Sequence, residues 1–221
     1  MQRTSRFLSY LLIFGGAVLL FLGGREVWDS HAGQVLAARE FARNTGDSAG
    51  NAADGSASEA SDSLTVTSYS APQPGEAMAK LSIPRLDTQL YVVEGDGEKQ
   101  LRRGPGHLSG SAMPGADGNC IIAGHRDTHF RILKDIRKGD DIVLETRAGE
   151  FLYRVTAMSV VSPKNTKPLQ PSRDARLNLI TCYPFYYVGS APRRFVVQAE
   201  LVGSVAGTQP GSGISESNPG S

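Results

Sequence analysis

A single mainly β domain held behind one apolar helix is the architecture that this sequence predicts. Three observations predict it: an uncharged apolar run near the N-terminus, a central series of short apolar segments punctuated by glycine and proline, and aromatic-free polar stretches on both sides of that series. With 221 residues the chain has room for one domain of catalytic size plus an appendage. Lysine and arginine number 23 against 22 aspartates and glutamates, a formal net charge of +1, so no global field draws the protein to nucleic acid. The 2 cysteines form no C-x-x-C or Cys/His cluster, which excludes a disulfide-dense scaffold and a structural zinc site. No metal is expected.

Residues 1–6 carry Arg3 and Arg6 and no acidic side chain, and residues 7–24 (FLSYLLIFGGAVLLFLGG) are uncharged. At ~1.5 Å per residue such a run nearly crosses a ~30 Å hydrocarbon core, and the positive-inside tendency puts the N-terminus in the cytoplasm. The competing reading is a cleaved signal peptide. The run is long for that purpose, and Gly23-Gly24 followed by Arg25-Glu26 makes an indifferent cleavage site. The paired glycines at 15–16 and 23–24 do not form a GxxxG contact face. Residues 25–76 read as an extracytoplasmic linker, partly disordered: 26–43 has scattered apolar positions that extend the anchor as a helix, whereas 47–63 is too poor in apolar side chains to offset chain ordering. The tail, 203–221, has the same character, which leaves 77–202 as the folded domain.

Inside the domain the recurring signal is strand and turn. Short apolar or alternating segments at 79–83, 89–93, 119–123, 141–146, 151–161, 177–181 and 195–202 read as strands, with Arg147-Ala148-Gly149-Glu150 as a hairpin connection. Phe130, Leu133 and Ile136 recur at helical spacing, so one or two helical turns fit 130–137. Many short strands with few helices indicate an antiparallel barrel or sandwich.

Three separated residues carry candidate chemistry. Cys182 ends the strand LNLIT and precedes Tyr183-Pro184, so it faces a loop and is open to reaction; most free cysteines, however, are small core hydrophobes. Cys120, inside GNCIIAG, is the better candidate for that core role, and a Cys120–Cys182 disulfide would remove the best nucleophile in the chain. His125 follows Gly124 at a strand end, where an imidazole projects from the sheet rim and can exchange a proton near neutral pH. The alternative is one more loop histidine among the 4 in the chain; His129 stands four residues on, but without an HExxH glutamate or a third ligand. In RRFVVQAEL, period-two alternation groups Arg193 with Phe195, Val197, Ala199 and Leu201, and sends Arg194 to the other face, where a guanidinium offers donors to an oxyanion. Arg193 remains the competing assignment, because it stands where regular alternation begins.

The segments NCIIAGHRDTHF, LNLITCYPF and SAPRRFVVQAEL resemble the histidine, TLxTC and arginine segments of sortases, the cysteine transpeptidases that attach surface proteins to cell envelopes. AKLSIPRLD and GPGHLSGSAMPGADGN are similar to the first strand and the loop before the histidine in that family, so the resemblance covers about 77–202. The wording TCYPF and GHRDTHF most resembles class D and the related proteobacterial sortases. Asn178 departs from the pattern, standing where TLxTC has its first threonine.

The resemblance implies an eight-stranded sortase β-barrel with short helices behind the transmembrane helix, and catalytic roles for His125, Cys182 and Arg194. It further implies that Cys182 thiolate attacks an LPxTG-like sorting signal to form a thioacyl-enzyme, with His125 protonating the leaving amine, Arg194 holding the oxyanion and Thr181 helping to line the substrate site. The implied partners are a surface protein bearing the sorting signal, an amine acceptor on the envelope or on a pilin, and the bilayer around the N-terminal helix. A papain-like hydrolase would need cysteine before histidine in the chain, the reverse of the order here. A cysteine peptidase releasing its product to water and a membrane-tethered, non-catalytic binding barrel are the remaining alternatives.

Overall fold

The computed structural model describes residues 13–18, 31–45, 71–187 and 189–206. Among the described residues eight strands are formed: β1 (Ala77–Ile83), β2 (Thr88–Glu94), β3 (Gly106–His107), β4 (Asn119–Gly124), β5 (Asp141–Thr146), β6 (Gly149–Val161), β7 (Arg176–Tyr183) and β8 (Arg193–Ala206). They close into one barrel in the order β1-β2-β3-β4-β7-β8-β6-β5, with β5 returning to β1. The sandwich alternative is thereby removed, because a sheet closed on itself leaves no second layer. The barrel is not wholly antiparallel: β2 with β3 and β4 with β7 run parallel. A parallel pair needs a long crossover, and the connection from β4 to β7 contains all of β5 and β6.

Period-two alternation builds the core. Leu81 and Ile83 from β1, Ile122 from β4, Leu144 from β5, Leu177 and Leu179 from β7 and Val197 from β8 meet inside the barrel, nearly or wholly out of water. The β5–β6 hairpin turns at Arg147-Ala148, with Thr146 paired to Gly149 at φ 139°, a conformation in which glycine carries no Cβ penalty. The expected helical turns at 130–137 are a 3-10 helix, His129–Asp135, that buries Phe130 and Leu133.

Two elements were not expected from the sequence. β3 is only two residues long, too short to leave a periodic signal, and the six-residue helix Glu98–Arg103, here α2, precedes it. Apolar positions in the stretch 26–43, expected as a helix, also pack against the barrel. Residues 31–45 form a helix, α1, with Ala37 and Phe41 buried one turn apart against Ala77 and Val93 of the barrel. Gln34 accepts from Tyr91 N at 2.8 Å and donates to Tyr91 O at 3.0 Å and Arg103 O at 2.8 Å, while Arg103 reaches Glu40 at 2.8 Å. The contact is close enough that a Cβ on Gly33 would lie 2.7 Å from the Arg103 Cα. β8 likewise runs to Ala206, past the expected domain end at 202.

Of the apolar run 7–24, only 13–18 is described; it is helical and exposed. No helix among the described residues is long and apolar enough to cross a membrane. The rest of that run, the tether 47–63 and the tail beyond 206 lie outside the described residues.

Candidate active site

Three neighbouring strands, β4, β7 and β8, bring the candidate residues to one end of the barrel. β4 and β7 run in parallel with Gly124 level with Thr181, so the next residues in line are His125 and Cys182. β7 and β8 are antiparallel, with Cys182 directly opposite Arg194 and Tyr183 opposite Arg193. Directly opposed residues on one face have Cβ atoms ~4.5–5.5 Å apart.

Alternation decides the face. Leu177 and Leu179 belong to the core, so Asn178, Ile180 and Cys182 take the outer face; Val197 and Ala199 belong to the core, so Arg194 takes the outer face as well. Arg193 has the parity of the core set but is exposed, because it is the first residue of β8 and the barrel interior has already closed beneath it. That closure is aromatic. Tyr183, Phe185 and Phe195 pack together with centroids 5.4–6.3 Å apart, Phe185 and Phe195 edge to face. Arg194 is half-buried and donates through Nη1 to Arg193 O at 3.0 Å and Ala191 O at 3.3 Å, which folds the guanidinium back over the start of its own strand.

The histidine segment is fixed from beneath. Thr181 is 2% exposed, and its hydroxyl donates to Gly124 O at 2.7 Å, locking the last peptide of β4 against β7. Gly124 itself is required by packing, since a Cβ there would come within 2.6 Å of the Phe130 ring. Phe130 N in turn donates to His125 O at 3.0 Å. His125 and Cys182 are each half-buried. Thr181 therefore lies under the histidine segment, with its hydroxyl engaged, and not on the outer face with Cys182.

Cys120 differs from Cys182 in exposure. It is 1% exposed, and burial, aided by Glu94, pushes its thiol pKa up to about 12. Both cysteines are free. Cys120 is level with Leu177, five residues from Cys182 along the strand. That is roughly 16 Å at the usual strand rise, well beyond the ~7 Å Cα limit for a disulfide. The other histidines are placed elsewhere. His107 is buried with Nδ1 2.6 Å from Glu94 Oε2 and Nε2 2.9 Å from Ser111 Oγ; His129 is buried; His31 lines a cavity of about 470 Å³ between α1, β2 and Asp127–His129 that does not include Cys182. Among the described residues no three metal-ligating side chains gather.

Two features escaped the sequence reading. Asn178 Nδ2 donates to Asn119 Oδ1 at 2.6 Å, and Asn119 Nδ2 donates to Pro168 O and Gln170 O, each at 2.9 Å. The buried asparagine pair thus pins the β6–β7 connection over the outer face of β4 and β7, at the position where Asn178 departs from TLxTC. No local pattern marks it, because its partner is 59 residues away. The second feature is the cationic and aromatic contact between Arg126, Arg131 and the tyrosines 186 and 187, with the guanidinium carbons 5.6–5.7 Å from the ring centroids.

The family model for the sortase domain matches residues 81–202, more than half of the chain. Sortase D of Bacillus subtilis is 38% identical over 133 residues, spanning 59% of this chain and 67% of that protein. Sortase SrtE1 of Streptomyces coelicolor is 30% identical over 218 residues, covering 90% of this chain but only 57% of its own length. In three dimensions a Clostridium perfringens Sortase D5 transpeptidase superposes with a TM-score of 0.61 over 78% of this chain and 99% of that one, at 23% identity, a likeness of fold. Matched barrel, matched segment order and matched family model converge: the chain belongs to the sortase family, whose members are cysteine transpeptidases.

Proposed function

We propose that the protein is a membrane-anchored sortase that uses Cys182 to cleave an LPxTG-like sorting signal and transfers the acyl group to an amine on an envelope component or a pilin. The observation that carries the reading is the placement of Cys182 directly opposite Arg194, with His125 following the residue level with Thr181. In the first step the Cys182 thiolate adds to the scissile carbonyl, the oxyanion develops beside the Arg194 guanidinium, and protonated His125 delivers its proton to the departing amine as the C–N bond breaks. In the second step an incoming amine attacks the thioester, yields its proton with help from His125 and releases Cys182. The thioester conserves the energy of the amide, so no nucleotide or cofactor enters. Thr181 serves this cycle by orienting the histidine segment. The N-terminal run 7–24 supplies the anchor, with Arg3 and Arg6 cytoplasmic and the catalytic domain outside.

The test is a panel of LPxTG-like peptides incubated with the protein and an amine such as triglycine, with products identified by mass spectrometry. A new amide to the added amine supports transpeptidation. Release of the free acid alone, unaffected by amine concentration, would make the protein a peptidase, and absence of any cleavage would leave the binding-barrel reading.

A further inference from the structure

His125 lies one residue past the last ladder pair of β4, Gly124 with Thr181, so the sheet no longer holds its backbone. Its neighbour Arg126 supplies a lateral restraint. The Arg126 Nη2 donates to Tyr187 O at 2.8 Å and to Gly189 O at 2.9 Å, and the guanidinium carbon lies 5.7 Å from the centroid of the Tyr187 ring. Tyr187 and Gly189 belong to the connection that leads from Cys182 on β7 to Arg194 on β8. One side chain therefore joins the residue after the histidine to the segment between the nucleophile and the arginine. Arg131, 5.6 Å from the Tyr186 ring, reinforces the same junction, and Lys134 holds the Tyr186 hydroxyl below its usual pKa by hydrogen bonding.

The geometry points to Arg126 as a positioning residue that fixes His125 over the scissile nitrogen by bridging two main-chain carbonyls of the β7–β8 connection. A planar guanidinium suits this task, because it bonds two carbonyls at once while stacking on an aromatic face, and a lysine ammonium cannot reproduce both contacts. The inference rests on the proposed role of His125 as proton donor. If Arg126 acts through His125, its loss must damage the proton-dependent part of the reaction and spare the rest. With an amide substrate, breaking the C–N bond of the tetrahedral adduct requires a proton on the leaving nitrogen; with an activated ester of the same peptide, the C–O bond breaks without one and the histidine is bypassed.

The experiment compares single-turnover acylation of the amide and ester peptides for wild type, Arg126→Ala, Arg126→Lys and His125→Ala. Thermal unfolding is followed in parallel, and the thiolate fraction of each variant is read from the pH dependence of alkylation. Arg126→Ala is expected to lower amide acylation by about 10²-fold, the scale of a displaced catalytic group, with ester acylation little changed. Arg126→Lys is expected to show the same selectivity at smaller size, and it decides the matter if the alanine variant does not fold. Equal losses on both substrates in the Arg126 variants, with His125→Ala still selective for the amide, overturn the positioning role alone. A His125→Ala variant that shows no amide selectivity overturns the proton-donor assignment and the inference with it.

Discussion

β4 and β7 lie side by side in parallel and carry one cysteine each, at opposite ends. Cys120 is the second residue of β4, level with Leu177 inside the core; Cys182 is the seventh of the eight residues of β7, on the outer face and past the last paired residue of β4. The same side chain is therefore a packing element at one end and a candidate nucleophile at the other. The N-terminal ends are sealed by Leu177 and the asparagine pair, whereas the C-terminal ends are where β4 hands over to His125 and β8 brings in Arg194. Because the strands are parallel, both C-terminal ends meet at one rim. An antiparallel pairing would have separated the histidine from the cysteine by the length of the sheet.

The sharpest way to break this comparison is to exchange the roles. Cys182→Ala is expected to abolish thioacyl formation and transfer completely, while Cys120→Ala retains both; turnover surviving in Cys182→Ala would remove the functional half of the contrast. The next largest effect concerns the arginine opposite Cys182. Arg194→Ala should slow acylation by about 10²–10³-fold, as for loss of a charge-assisted oxyanion donor, with little change in thermal unfolding. Arg193→Ala, exposed and opposite Tyr183, should stay close to wild type in the same assay. A folded but inactive Arg193→Ala beside an active Arg194→Ala would reverse the assignment.

A smaller effect probes the closed ends of the strands. Asn119→Ala removes the donor to Gln170 O and the shorter of the two to Pro168 O, and leaves Asn178 Nδ2 with Pro168 O, at 3.2 Å, in place of its bond to Asn119. The expected cost is about 1–3 kcal/mol in denaturant unfolding, with faster hydrogen exchange along the β6–β7 connection. The smallest is Cys120→Ala, about 1 kcal/mol, because the deleted thiol is one small buried group in a packed core.

The two ends of these strands also differ in how far the sequence disclosed them. Cys182, His125 and Arg194 each stand in a distinctive segment of the sequence, and alternation in RRFVVQAEL sends Arg194 to the outer face, where the β7–β8 register also puts it. The strand segments were legible for the same reason, a period of two broken by glycine and proline. Thr181 was legible as part of the motif but not in its geometry: parity turns it toward Gly124, and only the parallel register with β4 shows where its hydroxyl goes. The asparagine pair, the docking of α1 through Gln34 and the bridge from Arg126 were not legible, since each joins residues 57 to 69 apart or meets backbone atoms that carry no sequence signature. β3, with two residues, has no periodicity to read.

The most direct test of the central claim is to trap the acyl-enzyme with a mass-tagged sorting-signal peptide, digest it and locate the adduct. The expected result is a single thioester on the peptide containing Cys182, lost on treatment with hydroxylamine, with Cys120 unmodified until the protein is unfolded. An adduct on Cys120, or cleavage of the substrate with no adduct on either cysteine under conditions that preserve thioesters, would contradict the account.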